Sequence, residues 1–113
     1  MWIFTENGFM SVVSDTRQKH LLTARSRDLQ SLADLTGKLG MEAIETPMAD
    51  YPYRVPVTRE ELSLHLAAEV DNLNYPNFKD KVVEARGRKY GEALYAVWAA
   101  MLSTEERPRN FDR

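Results

Sequence analysis
The side chains able to do chemistry are few. The chain holds two histidines, His20 and His65, and no cysteine. A metal site needs three or four convergent ligands. His65 and Glu69, four residues apart, can share a helical face, but no H-E-x-x-H joins the imidazoles, and the lack of thiolates removes sulfur-based zinc sites and disulfides. No G-x-S-x-G elbow presents a serine, and Ser11 and Ser14 fall inside a predicted strand. Gly37, Gly40, Gly87 and Gly91 lack the G-x-x-x-x-G-K-[ST] frame that cradles phosphate. Glu60 and Glu61 fit a helix start, and Glu105 and Glu106 a charged tail. No catalytic residue, metal or cofactor is therefore predicted. A small hydrolase or transferase would require a deep polar pocket around Arg54, His65 or Tyr53.

Binding chemistry has more material. Residues 17–27 carry Arg17, Lys19, Arg25 and Arg27 with no acid among them up to Arg27, while Lys79, Lys81, Arg86, Arg88 and Lys89 outnumber Asp80 and Glu84 nearby. Tyr75 and Phe78 stand beside the second run. Bases interleaved with aromatics suit a single-stranded nucleic acid, with cations on its phosphates and rings under its bases. Arg17, Lys19, Arg25, Arg27, Tyr75, Lys79, Arg86, Arg88 and Lys89 would form that interface. The net charge of −2 is far from the signature of a dedicated nucleic-acid binder, and a charge run is ordinarily a solvated face.

The elements that must position these groups begin with a hairpin. Asn7-Gly8 lies between apolar runs and fits a type I′ turn, which pairs Thr5 with Met10, Ile3 with Val12 and Trp2 with Val13. One face then carries Ile3, Thr5, Met10 and Val12, and the other Trp2, Phe4, Phe9 and Val13. A third strand over 19–24, after the polar turn 15–18, sets Leu21 opposite Val12 and His20 opposite Val13. Both faces of this unit read as apolar, so the second must meet more chain or a partner. Leu29, Leu32, Leu35 and Leu39 predict a helix over 27–39 ended by Gly40. A short edge strand is predicted at 41–46. Tyr51, Tyr53, Val55 and Val57 alternate along a further strand, and Pro52 and Pro56 leave one of its flanks unpaired. Thr58 and Glu61 form a capping box for the next helix, Asn77 caps another, and Tyr90, Leu94, Val97, Trp98, Met101 and Leu102 predict a central last helix.

With 113 residues, 43% hydrophobic and 28% charged, the chain fits one soluble domain over 1–102 followed by a charged tail over 103–113. No stretch reads as a membrane span or secretory signal, so the cytosol is the expected compartment. The expected fold is α+β: an antiparallel sheet of four or five strands with three or four helices packed mainly on one face.

Several strings taken together, W-I-F-T-x-x-G-F-x-S-V-V at the start, A-R-S-R before the first helix, T-P-x-A-D-Y-x-Y-R at 46–54 and N-Y-x-N-F-K at 74–79, with Y-x-x-W at 95–98, resemble a family of small uncharacterised bacterial and phage proteins. The likeness spans nearly the whole chain. It implies a single small domain, carries no activity, and marks Asp50, Tyr51, Tyr53, Arg54, Asn77, Phe78 and Lys79 as members of recurring strings. The function expected first is a non-catalytic protein-interaction domain, a bacterial or phage accessory protein or an inhibitor of a host protein. Its surface would be Trp2, Phe4, Phe9, His20, Tyr51, Tyr53 and Arg54, with a protein partner or a second copy in a homodimer. Single-stranded nucleic-acid binding through the two basic runs is the alternative.

Overall fold
The computed structural model describes residues 1–106. Five strands form one antiparallel sheet: β1 (Trp2–Thr5), β2 (Gly8–Ser14), β3 (Leu21–Ser26), β4 (Ile44–Glu45) and β5 (Tyr53–Thr58), in the order β1-β2-β3-β5-β4. Four helices accompany it: α1 (Gln30–Leu39), α2 (Arg59–Asp71), α3 (Phe78–Arg86) and α4 (Arg88–Met101). This is the expected α+β architecture. Of the predicted tail, Ser103 and Thr104 belong to the 3-10 turn Leu102–Thr104, and 107–113 lie outside the described residues. Among the described residues no helix is long and apolar enough to cross a membrane.

The hairpin turns one step earlier than predicted. Ile3 faces Met10, Phe4 faces Phe9 and Thr5 faces Gly8, so Glu6 and Asn7 make the turn. Positive φ is used by Gly8 (137°) after the turn, and no described residue other than glycine adopts it, so the type I′ conformation is not formed. The reason is tertiary. A β-carbon at Gly8 would collide with Ser31 Oγ and Arg86 Nη1, so the bare backbone is needed where α1 and α3 reach the hairpin. The changed register keeps the parity of the pairing, and both faces keep their residues.

The third strand departs further. Val12 faces Ala24 instead of Leu21, an odd slip that turns the whole strand over. The loop before β3 runs through His20, because the Asp15 carboxylate accepts from the N–H groups of Arg17 (2.8 Å) and Gln18 (2.9 Å) and holds a longer turn. These bonds, Gln18 first, hold the Asp15 carboxyl below its usual range. Leu22, Ala24 and Ser26 therefore share the face of Val12, and Thr23 and Arg25 take the opposite one.

The covered face is the core. Met10, Val12, Ala24, Val55 and Val57 meet Leu32 and Leu35 of α1 and Leu62 of α2, all buried. Each large aliphatic side chain removed from water in this way contributes roughly 1.5–3 kcal/mol. The end of α1 and the starts of α2 and α3 match their sequence signals, whereas α1 starts at Gln30, three residues later than the expected 27. Gly40 closes α1 in the left-handed region (φ 66°), and both capping-box bonds at α2 form, Glu61 N–H to Thr58 Oγ1 and Thr58 N–H to Glu61 Oε1. Asn77 Oδ1 accepts from the Asp80 N–H at the start of α3, and Gly87 separates α3 from α4.

One predicted strand and one predicted helix are corrected here. β5 is not the sheet edge, because the two-residue β4 pairs with its first half. Thr46 N–H donates to Pro52 C=O (2.6 Å), so the proline flank faces β4, and that flank is unpaired only beyond Arg54. α4 is not central: it buries Leu94 but leaves Tyr95, Trp98 and Met101 about half exposed. Its 3.6-residue periodicity called for a covered face, but α1 and α2 already fill the sheet's core side, and α4 packs on α3 beside the aromatic end of the hairpin.

Candidate binding face
Five strands viewed from the side opposite α1 and α2 present one transverse row. Trp2 stands opposite Ser11, Ser11 opposite Arg25, Arg25 opposite Arg54, and Arg54 opposite Ile44. Alternation along the strands adds Phe4, Phe9 and Val13 to the same face, with Thr23 and Pro56. One end is therefore aromatic and the middle cationic.

The aromatic end is a stack of rings. Phe9 lies 4.7 Å from Phe4, 5.7 Å from Trp2 with the rings at 88°, and 6.3 Å from Tyr51. Trp2 is 68% exposed. Tyr51, which alternation places on the same strand face as Tyr53, sits before β5 begins and is buried beside Phe9 on the opposite face from Tyr53. Its ring is a pedestal for two cations, with the guanidinium carbons of Arg25 and Arg27 at 4.6 and 4.9 Å from its centroid.

The cationic middle is costly by the rules of stability. Like charges directly opposite across two strands repel. Arg25 Nη2 donates to Ser11 Oγ (2.7 Å), but the Nε groups of Arg25 and Arg54 are both buried without an acceptor, a desolvation cost with no visible return. Asp50 lies 4.0 Å from Arg54 and is largely exposed, so this pair offsets little. A cleft of about 620 Å³ opens over this middle, between the β2–β3 turn and β4, with Arg17, Arg25 and Arg54 in its wall. The one carboxylate in that wall, Asp15, is occupied by its own turn and by the Thr23 hydroxyl. A second cleft of about 390 Å³ lies between the Trp2, Phe4 and Phe9 rings and Ala93, Leu94 and Val97 of α4, with Arg27 at its rim.

The structure thus unites residues assigned in sequence to separate hypotheses. Trp2, Phe4, Phe9, Tyr51 and Arg54 from the interaction surface join Arg25, Arg27 and Arg17 from the first basic run. Two expected members are elsewhere: Tyr53 packs against the core on the covered face, and His20 is exposed in the turn before β3, where its carbonyl accepts from Arg59 Nη1. Lys19 likewise sits in that turn. Ser11, opposite Arg25, was missed, because only the true register brings it there.

The second basic run is largely consumed by the fold. Arg86, 8% exposed along its side chain, donates to Asn7 C=O (2.6 Å) and Ser31 Oγ (3.2 Å), pairs with Asp28 (3.2 Å) and covers the Tyr90 ring. Lys81 lies 3.7 Å from both Glu6 and Glu84. Tyr75 rests against Phe78 with its hydroxyl pushed up by burial and by Glu6, which makes it packing. Lys79 stands over the Tyr95 and Trp98 rings of α4, and Arg88 and Lys89 are exposed.

One further polar cluster lies off this face. Asp34, His65 and Glu69 bring one ligand atom each within 4.8 Å of one another. Lys38 Nζ is 3.2 Å from His65 Nδ1 and 3.3 Å from Asp34, so an ammonium already stands where a cation would. Burial, reinforced by Lys38, pushes the His65 pKa down, so the neutral ring accepts from Lys38 at Nδ1. Burial and the nearby Asp34 push Glu69 up.

No family model matches the chain, and no curated protein or solved structure gives a significant match.

Proposed function
We propose that this protein is a non-catalytic binding domain of the cytosol whose sheet face opposite α1 and α2 receives an anionic partner. The observation that carries this is the opposed Arg25–Arg54 pair, two like charges on facing strand positions whose Nε groups are both buried without an acceptor, with only the Ser11 hydroxyl on Arg25 and an exposed Asp50 at 4.0 Å from Arg54 to offset them. Arrangements that lower stability in this way persist where binding needs them, and a carboxylate or phosphate accepts from such forks in bidentate fashion. A homodimer joined by this face would set a cationic row against its own copy, which favours a different molecule as partner. An inhibitor of a host protein that carries an acidic surface is one form of this reading for a bacterial or phage chain.

Chromatography of the full chain on immobilised heparin, a polyanion, tests it. The protein, although net acidic, is expected to be retained at low salt. The Arg25→Gln/Arg54→Gln variant is expected to flow through, and Arg88→Gln/Lys89→Gln, which alters exposed bases off the face, to be retained. Equal retention of the first variant and the parent would overturn the reading, as would no retention of the parent.

A further inference from the structure
We infer that the anion this face takes is the backbone of a single-stranded nucleic acid, one of whose bases enters the aromatic cleft beside Trp2. The inference rests on the anionic-partner reading above and adds to it the chemistry at the other end of the row. Trp2 meets Phe9 with the two rings perpendicular and is 68% exposed, so its indole is a stacking surface that the fold does not use.

Beside it, the cleft of about 390 Å³ has an aromatic wall of Trp2, Phe4 and Phe9, an aliphatic wall from α4, and Arg27 and Asp28 at the rim. A slot of this composition suits a flat ring with polar edges. β2 alone separates Trp2's strand from Arg25's, so the two backbones are about 10 Å apart across the sheet, and Arg54's strand lies about 5 Å further on. A chain that lays a ring in the cleft carries its own negative charge onto Arg25 and Arg54, with Arg27 between the two. Planar rings alternating with one negative charge per repeat are what a polynucleotide offers. A purely acidic peptide supplies the charge without the ring. A duplex keeps its base faces stacked inside, so only an unpaired strand can use Trp2.

The surface continues past this slot. Phe4 also lines the neighbouring cleft of about 400 Å³, where Lys79 lies over the Tyr95 and Trp98 rings. A cation and exposed aromatics thus recur along the direction a strand would follow.

Fluorescence anisotropy of end-labelled mixed-sequence 12-mers, as single-stranded RNA and DNA, against the full chain at low salt tests the inference. Competitors are the same DNA as a duplex, inorganic polyphosphate and poly-glutamate. Binding is expected to weaken steeply as salt rises, and Arg25→Gln or Arg54→Gln to lower the salt slope by about one each. Trp2→Ala is expected to weaken single-strand binding about tenfold, with Trp2→Phe recovering most of the loss, since base stacking on an aromatic ring has roughly that value. Circular dichroism of the variants separates these losses from unfolding.

Duplex, polyphosphate or poly-glutamate binding as tightly as the single strand, or indifference of binding to Trp2→Ala, would overturn this inference and leave the anionic-partner reading intact. No binding of any of these anions would overturn both.

Discussion
The two faces of the sheet are built from the same strands and obey opposite rules. On the covered side, Val12, Ala24, Val55 and Val57 are nearly free of solvent and every contact serves packing. On the open side, an exposed indole, a ring stack and two facing arginines occupy positions where stability alone would favour alternating polar residues and cross-strand pairs of opposite charge. The contrast teaches where to look for function in a chain without a catalytic motif: on the face that breaks the stability rules.

Variants can break or sharpen this contrast. The largest effect is expected from Leu32→Ala, which empties fully buried space between α1 and the sheet and should lower the unfolding free energy by about 2–5 kcal/mol in urea titration. If it costs no more than Trp2→Ala on the open face, the division between the faces is wrong. Next comes Arg86→Ala. It removes the clamp that joins Asn7, Ser31 and Asp28, and a loss of about 2–4 kcal/mol is expected because the Asn7 carbonyl loses the guanidinium donor and Asp28 loses its ion pair. Anion binding by the open face should survive in the fraction that folds.

A smaller effect concerns pH. His65 is buried on the covered side and its folded pKa lies below the ordinary 6.5. The unfolded chain therefore takes up a proton that the folded chain refuses, and this contribution to stability is lost as pH falls through the window below 6.5. Glu69 has the opposite sign. Its folded pKa is raised above the ordinary 4.5, so its proton favours the folded state, and that contribution is lost as pH rises above 4.5. Urea midpoints measured between pH 4 and 8 should show the rise toward neutrality flatten in His65→Leu. An unchanged profile would mean that the imidazole is not desolvated.

The smallest effect has the most telling sign. Arg54→Leu removes one of two like charges and a buried unpaired Nε, and is expected to leave stability unchanged or raise it by up to about 1 kcal/mol, while weakening heparin retention. A large loss of stability would make the pair structural.

Helix-end signals and the alternation of the first hairpin were read correctly, whereas the turns at Asn7-Gly8 and after Asp15 were not. The capping box at Thr58 and Glu61, the Asn77 cap, the Gly40 stop and the partition of Trp2, Phe4 and Phe9 from Ile3 and Val12 each depend on a few neighbouring residues. The candidate site was only half legible. Its aromatic end follows from strand alternation, but its cationic middle depends on the register of β3, and Asp15 lengthened that turn in a way spacing alone did not reveal. Tyr51 was named for the surface, but its separation from Tyr53 was not legible, because β5 starts two residues later than the alternation implied.

By itself, then, the amino-acid order determined the kinds of element, their ends, and which residues of each strand must share a side. Tertiary structure alone decided which arginines face each other, that Gly8 has to admit Ser31 and Arg86, and that the last helix lies at the hairpin's edge instead of in the middle. Alternation and capping are short-range geometry, repeated every two or four residues. Register between strands and the docking of a helix are chosen by contacts between distant segments, which a one-dimensional pattern permits in several versions and only the packed chain reduces to one.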